Sequence, residues 1–386
     1  MDIFAGRLYE TSQCYQNKDL NLGFRRLIDC ALDTKDNEAL KLVLEFVDWR
    51  YRTDSKTEEE EIAKAVALIE WMEKKSIHIP KTSSGNIITA EQVSKRYVKG
   101  NFTLGPLDVS VKMSEMVGLV GENGNGKTTL LRLLCGELKQ SSGTIEYHFA
   151  KPFKDIYELK TRLAYIPQRI ERLRGSLMDN LQFTLSQYGI KQEDNHLLAL
   201  TFLARMGLWT YKDLEWSRLS SGYKMRFELV RTLLRSPEVL LLDEPLANLD
   251  ILAQQIILED LQFLSSSLSR PFGVILSSQQ LYEVEKSSHK ILFLDNGKLI
   301  EQQIAEENTE DYSLILEFHT TASREHLQVS LEKMGLEKLY YNGGSYIAYF
   351  PKGKTISDAM LLLGEEKIPI TYLRDISKSS RRFFVE

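Results

Sequence analysis

The 386-residue sequence predicts an α/β fold: a mostly parallel sheet covered by helices, preceded by an α-helical segment and followed by a small α+β module. Three observations predict it. Residues 1 to about 80 carry apolar side chains at helical spacing throughout. From Ile87, short β-rich runs such as "MVGLVG", "EVLLLDEP" and "FGVILSS" alternate with longer helical stretches. After about Glu306 a compact strand, helix, strand, strand, helix, strand order takes over.

In the first segment Phe24, Leu27, Ile28, Ala31 and Leu32 define one buried helical face. Leu40, Val43, Leu44 and Val47 repeat the spacing, as do Ile62, Ala65, Val66, Ile69 and Met72. The acidic run Glu58 to Glu61 precedes the last stripe, where negative charge favours a helix N-terminus. These helices are expected to bury their own faces as a domain over residues 1–80, separable at the linker "HIPKTSSGN". In the next stretch, 87–306, "RLAYIPQ" and "KILFLDNGKLI" add strands, the latter with an Asn-Gly hairpin. In the last, 310–386, the strands "SLILEFH", "LEKLYY", "SYIAYF" and "ITYLRDI" interleave with two helices in a ferredoxin-like order. Gly335 and Gly364 stand where helix C-caps are expected.

Composition narrows the function. A formal net charge of −5 argues against a general nucleic-acid-backbone binder, and no nucleic acid partner is expected. The three cysteines, Cys14, Cys30 and Cys135, lack paired spacing, so neither a disulfide framework nor a zinc site is expected, and a reducing compartment fits. No run of 18 apolar residues occurs, so service to a membrane would require a partner chain.

Gly121 to Thr128, "GENGNGKT", satisfies G-x-x-x-x-G-K-[ST] between a strand and a helix. Glycine, and asparagine to a lesser degree, accept the positive φ that turns successive N–H groups inward around a phosphate. A helix over Lys127 to Leu134 points its N-terminal dipole at the same anion. The candidate phosphate-binding positions are Gly121, Asn123, Gly124, Asn125, Gly126, Lys127, Thr128 and Thr129, with the asparagines as turn formers. Lys127 brings charge for the β and γ phosphates, and the Thr128 hydroxyl suits Mg²⁺. The apolar strand "VLLLDE" ends in Asp243, placed to hold Mg²⁺, and Glu244, placed to polarise an attacking water.

Between these motifs lie "YIPQ", with Gln168, and "LSSGYKMR", Leu219 to Arg226; "LANLD" and "ILSSQQLYEVE" follow. This ordered set resembles the nucleotide-binding domain of ABC-type ATPases over residues from about 87 to 302. The resemblance implies ATP and Mg²⁺, with Tyr97 stacking on adenine and Gln168 reaching the metal and its water. It implies that Ser220 and Gly222 contact the γ-phosphate of ATP held by a second chain, and that Asp250 crosses the dimer interface. Ser221 and Tyr223 depart from the usual Leu-Ser-Gly-Gly-Gln segment, whose helix is expected to begin at Tyr223. Gln279 stands where the family carries histidine, and is expected to donate to the γ-phosphate and to support slow hydrolysis. The resemblance further implies a homodimer or heterodimer of ATPase chains on a separate transmembrane permease, at the cytoplasmic face of the membrane. Arg169, Arg172 and Arg174 lie where a permease would dock. The C-terminal module resembles the accessory domain of some export-type subunits. Two other readings are a soluble ATPase acting on ribosomes or DNA, and an ATP-binding switch with little turnover.

Overall fold

The computed structural model describes residues 3–52, 57–75, 85–97, 102–149, 153–247, 249–303, 313–342 and 344–377. The linker expected at His78 to Asn86 lies largely outside them, as does the end of the tail from residue 378. Contacts divide the chain into two compact units, Met1–Ser288 with Leu294–Ile300, and His289–Phe293 with Glu301–Glu386.

The chain opens with α1 (Ile3–Gln16), α2 (Leu20–Thr34), α3 (Asn37–Arg52) and α4 (Glu58–Glu73). Two local devices start them. The Asp19 carboxylate caps α2, and at α4 Thr57 and Glu60 form a reciprocal capping box. Most of the expected apolar stripes are buried, Leu27, Ile28, Val43, Val47, Ala65 and Ile69 being at most 4% exposed, while Ile62 and Val66 are half-buried.

Next come β1 (Asn86–Arg96), β2 (Thr103–Lys112), β3 (Met116–Val120), α5 (Lys127–Leu134), β4 (Ser142–Tyr147), α6 (Ile156–Arg162) and β5 (Leu163–Ile166). They are followed by α7 (Leu177–Gln187), α8 (Gln192–Arg205), α9 (Ser221–Leu233), β6 (Val239–Leu242), α10 (Ile251–Ser265), β7 (Gly273–Ser278) and α11 (Leu281–Glu285). Strands β8 (Lys290–Asp295) and β9 (Lys298–Gln303) end the segment. One sheet has the order β5-β6-β7-β3-β8-β9, with β5, β6, β7 and β3 mutually parallel. Every residue of β3, β6 and β7 is buried, which explains their unbroken apolar texture: a parallel sheet is covered on both faces. A second, antiparallel sheet runs β2-β1-β4. The expected hairpin forms at Asn296 and Gly297, whose φ values of 45° and 76° match a type I′ turn.

The N-terminal helices do more than bury their own faces, which corrects the expectation of a self-sufficient bundle. Helices α2 and α3 pack on α8. Arg205, 1% exposed, donates to Asp29 at 2.6 Å and to Asp260 at 2.7 Å, so α8, α2 and α10 share one buried charge cluster. Arg25 adds a 3.0 Å contact to Asp260. Asp33 accepts from Arg7 at 3.2 Å, Ser267 Oγ at 2.7 Å and the Ser269 N–H at 3.1 Å. A buried charge is tolerable only when paired in this way, so helix and core depend on each other here.

The second unit contains β10 (Ser313–Thr320), α12 (Arg324–Glu332), β11 (Lys338–Asn342), β12 (Ser345–Lys352), α13 (Ile356–Glu365) and β13 (Ile370–Asp375). Its antiparallel sheet, β11-β12-β10-β13, has the ferredoxin-like order. Alternation on β10 sends Leu314, Leu316 and Phe318 to Leu327 and Leu331 of α12 and Leu363 of α13. Gly335 takes the expected left-handed conformation, φ 87°. Gly364 does not cap: α13 runs on to Glu365, and Lys367, φ 51°, makes the left-handed turn instead.

Candidate functional site

The phosphate-loop residues sit between the end of β3 and the start of α5. Gly124 and Gly126 have φ values of 88° and 105°, which side-chain-bearing residues rarely adopt. A Cβ at Gly121 would collide with the Leu294 carbonyl oxygen, so the loop lies directly against β8. Asn125 donates from its side chain to that same carbonyl at 3.0 Å, which anchors the loop to β8. Asn123 and Thr128 are exposed at the loop surface. Helix α5 begins at Lys127, so its free N–H groups face the loop interior.

Lys127, 5% exposed, turns its ammonium back over the loop, donating to the carbonyls of Gly121 at 2.6 Å and Glu122 at 3.1 Å. The same nitrogen is 3.3 Å from Glu244 Oε1. Gln168 and Gln279 each donate to Glu244 Oε2 at 2.8 Å. One carboxylate therefore collects a cation and two amides contributed by three other segments of chain. Gln279, expected to reach toward a phosphate, here fixes the Glu244 carboxylate. Glu244 has φ 48°, outside the usual range for a non-glycine residue, and its N–H donates to Ser277 Oγ at 2.9 Å. Backbone strain of this kind, about 1–3 kcal/mol, persists where surrounding contacts over-determine it.

Asp243 is 3% exposed. It accepts from Ser277 Oγ at 2.9 Å and from the Tyr165 hydroxyl at 3.3 Å. Burial and the adjacent Asp243 carboxylate push the Tyr165 phenol upward, so it stays a protonated donor at neutral pH. Sequence reasoning missed Tyr165 and Ser277. The signal was the parallel register, in which Tyr165 pairs with Leu241 and Leu242 with Leu276, placing Ser277 beside Asp243.

Asp243, Thr128 and Gln168 line one cleft with Tyr165. A hydroxyl, a carboxylate and an amide oxygen are the hard donors that Mg²⁺ takes alongside water and phosphate oxygens, so these residues fit the metal. The positive-φ glycines, the helix N-terminus and Lys127 likewise fit a nucleotide triphosphate. Tyr97 lies beside the loop with its hydroxyl 3.4 Å from Thr129 Oγ1 and its ring 38% exposed.

Ser220, Gly222 and Asp250 form a separate cluster. Helix α9 starts at Ser221, two residues earlier than expected, because Ser220 is its N-cap and accepts from the Tyr223 N–H. Asp250 caps α10 in the same way, accepting from the Ala253 N–H at 2.9 Å. The two caps line one cleft with Gly222, Tyr223 and Leu252.

Residues 104–247 match the family model described as ABC transporter. The chain is 30% identical to a lactococcin transport/processing ATP-binding protein, LcnC-like, of Lactococcus lactis, over 55% of this chain and 30% of that protein. It is 30% identical to the "Probable metal transport system ATP-binding protein" of Chlamydia trachomatis, over 53% of this chain and 86% of that protein. A spermidine/putrescine import ATP-binding protein, PotA, of Mesoplasma florum is 31% identical over 57% of this chain and 61% of its own length. Among solved structures, cbiO1 of Clostridium perfringens, described as part of the ABC transporter complex cbiONQ, superposes with a TM-score of 0.52 at 25% identity. That match covers 56% of this chain and 88% of cbiO1.

Proposed function

The chain belongs to the ABC transporter family of ATP-binding subunits, and we propose that it binds and hydrolyses MgATP to power transport through separate membrane-spanning subunits. The observation that carries this reading is the convergence of Lys127, Gln168 and Gln279 on Glu244 at the mouth of the phosphate loop. Lys127 exchanges its carbonyl contacts for the β and γ phosphates. Thr128, Gln168 and Asp243 would hold Mg²⁺, which would supply positive charge beside the transferred phosphoryl group. Tyr165 and Ser277 keep the Asp243 carboxylate aimed. Glu244 polarises the attacking water, and the two glutamine amides orient it. Because the Gln279 amide carries no charge, hydrolysis in this reading is real but slow.

In the same reading two ATPase chains, identical or related, pack so that each ATP lies between one chain's loop and the other's Ser220, Gly222 and Asp250, with Tyr97 on the adenine. The permease partner holds the dimer at the inner face of the membrane. Among the described residues no helix is long and apolar enough to cross a membrane. Export is the direction supported by the ferredoxin-like module; the relatives' names include both transport/processing and import. A second reading, an ATP-binding switch with little turnover, draws on Gln279.

Phosphate release from MgATP by the purified chain, compared with Glu244→Gln, tests the proposal. The expected result is measurable wild-type turnover, none in Glu244→Gln, and an ATP-dependent dimer of that variant on size-exclusion chromatography. Normal hydrolysis by Glu244→Gln would overturn the assignment of the base, and ATP binding without wild-type turnover would favour the switch.

A further inference from the structure

The proposed function gives the N-terminal helices no task, yet they tie into α10 and, through the turn Trp209–Tyr211, toward α9, the two helices whose first turns line the Ser220–Asp250 cleft. Toward one wall, Tyr51 at the end of α3 stacks on Trp209, with centroids 6.3 Å apart and planes at 29°. Trp209 and Tyr211 share a single 3₁₀ turn. Tyr211 meets Tyr223 at 4.6 Å, and the Arg226 guanidinium lies 5.6 Å over the Tyr223 ring. The Tyr223 N–H is the donor that Ser220 Oγ caps. On the other wall, α10 begins at the cap Asp250 and is held further along by the α2 residue Arg25 through Asp260. The Arg26 guanidinium, 3.2 Å over the Phe263 ring, grips its last turns.

We propose that the N-terminal helices are a positioning element for the Ser220–Asp250 face, acting on Ser220 through the relay Tyr51, Trp209, Tyr211 and Tyr223 and on Asp250 through α10. The inference rests on the reading that this face engages ATP held by a second chain. Tyr223 is central to it: the aromatic ring gives the start of α9 a packed partner outside the cleft, so the direction of the Ser220 hydroxyl follows the turn that Tyr51 supports. Lys127 and its loop stand outside the relay. Loosening Tyr51 should therefore slow the step that needs both chains and spare the capture of ATP by one.

The test uses the full chain and compares kcat, KM for ATP and Tm for wild type, Tyr51→Ala, Tyr51→Phe and Tyr211→Leu. Misplacement by 1 Å costs on the order of 100-fold in rate, and a loosened relay moves Ser220 by less, so kcat of Tyr51→Ala should fall about tenfold. KM should change less than about twofold, and Tyr51→Phe, which keeps the ring, should recover wild-type kcat. Tyr211→Leu cuts the relay nearer the cleft and should reproduce the loss of kcat even if Tyr51→Ala does not fold. Wild-type kcat in either cut variant overturns the inference, and so does a fall in kcat matched by an equal rise in KM. Lys127→Ala separates the two levels. If it turns over ATP normally the functional reading itself fails, whereas an inactive Lys127→Ala beside a fully active Tyr51→Ala removes the relay alone.

Discussion

Asp260→Ala should destabilise the protein far more than an ordinary helix substitution. Asp260 is 3% exposed and accepts from Arg205 at 2.7 Å and from Arg25 at 3.0 Å. Arg25 is partly exposed and can turn to water once released. Arg205, 1% exposed, cannot, and keeps only Asp29 as a buried partner. Burial works against its charge while the two carboxylates work for it, and their sum holds the guanidinium firmly protonated. Leaving a buried charge short of a partner costs about 3–5 kcal/mol. At about 2 °C per kcal/mol for a large unit, Tm should fall roughly 6–10 °C. Differential scanning calorimetry of the full chain measures this directly. A control removes the charges together: Asp29→Leu, Arg205→Met and Asp260→Leu in one chain should recover most of the loss, because apolar packing replaces a buried ionic cluster at little cost. A Tm change under about 2 °C in Asp260→Ala would refute the reasoning, and so would a combined variant less stable than the single one.

Lys127→Ala removes the ammonium from the phosphate loop and should weaken ATP binding roughly 10- to 100-fold, the worth of a charge-assisted hydrogen bond; equilibrium dialysis with ATP reads it, and unchanged affinity would remove the site. Gln279→Ala deletes one of the two amides on Glu244, so steady-state phosphate release should drop roughly 5- to 30-fold with ATP affinity retained. Equal rates for Gln279→Ala and wild type would leave the side chain without a part in the reaction. Iodoacetamide at pH 8 should modify Cys14 first, since burial pushes Cys30 up to about 12 and Cys135 up to about 11. A raised thiol pKa lowers the thiolate fraction at a given pH. Peptide mapping that found Cys30 labelled before Cys14 would contradict the packing of α1 and α2.

The phosphate loop, the carboxylates after β6 and the helix stripes were legible because each is a local pattern: spacing within a few residues dictates the backbone, and the backbone dictates the chemistry. Tyr165 and Ser277 were not, since their meeting with Asp243 depends on the register of strands whose sequences lie far apart. Arg205 belongs to no sequence motif, and only the placement of α2 and α10 around it reveals a buried charge. For the same reason the residues at 1–80 looked able to stand alone, although Asp29 and Asp33 bond across to α8 and to the turn after α10. Helix α9 starts two residues before the expected Tyr223 because Ser220, just ahead of the departure from the motif at Ser221, is a strong N-cap. At Gly364 the C-cap preference of glycine yielded to Lys367, where the chain needs its left-handed turn.

The pairing of β6 with β7 carries a consequence for how this chain can vary in length. Leu242 stands opposite Leu276, and the next step brings Asp243 and the Glu244 N–H onto the Ser277 hydroxyl. Side chains along a strand obey odd–even parity, so deleting one residue within β7 would turn that hydroxyl to the opposite face of the sheet. The carboxylate and the strained backbone beside it would lose their shared tether in one event, with no change to any motif residue. The connection between α7 and α8 obeys no such rule: space is open around Gly189, and residues gained or lost there need only close a loop. Insertions and deletions in descendants of this gene should therefore collect at such connections and be excluded from β7, whose parity protects the site as strictly as the identity of Lys127.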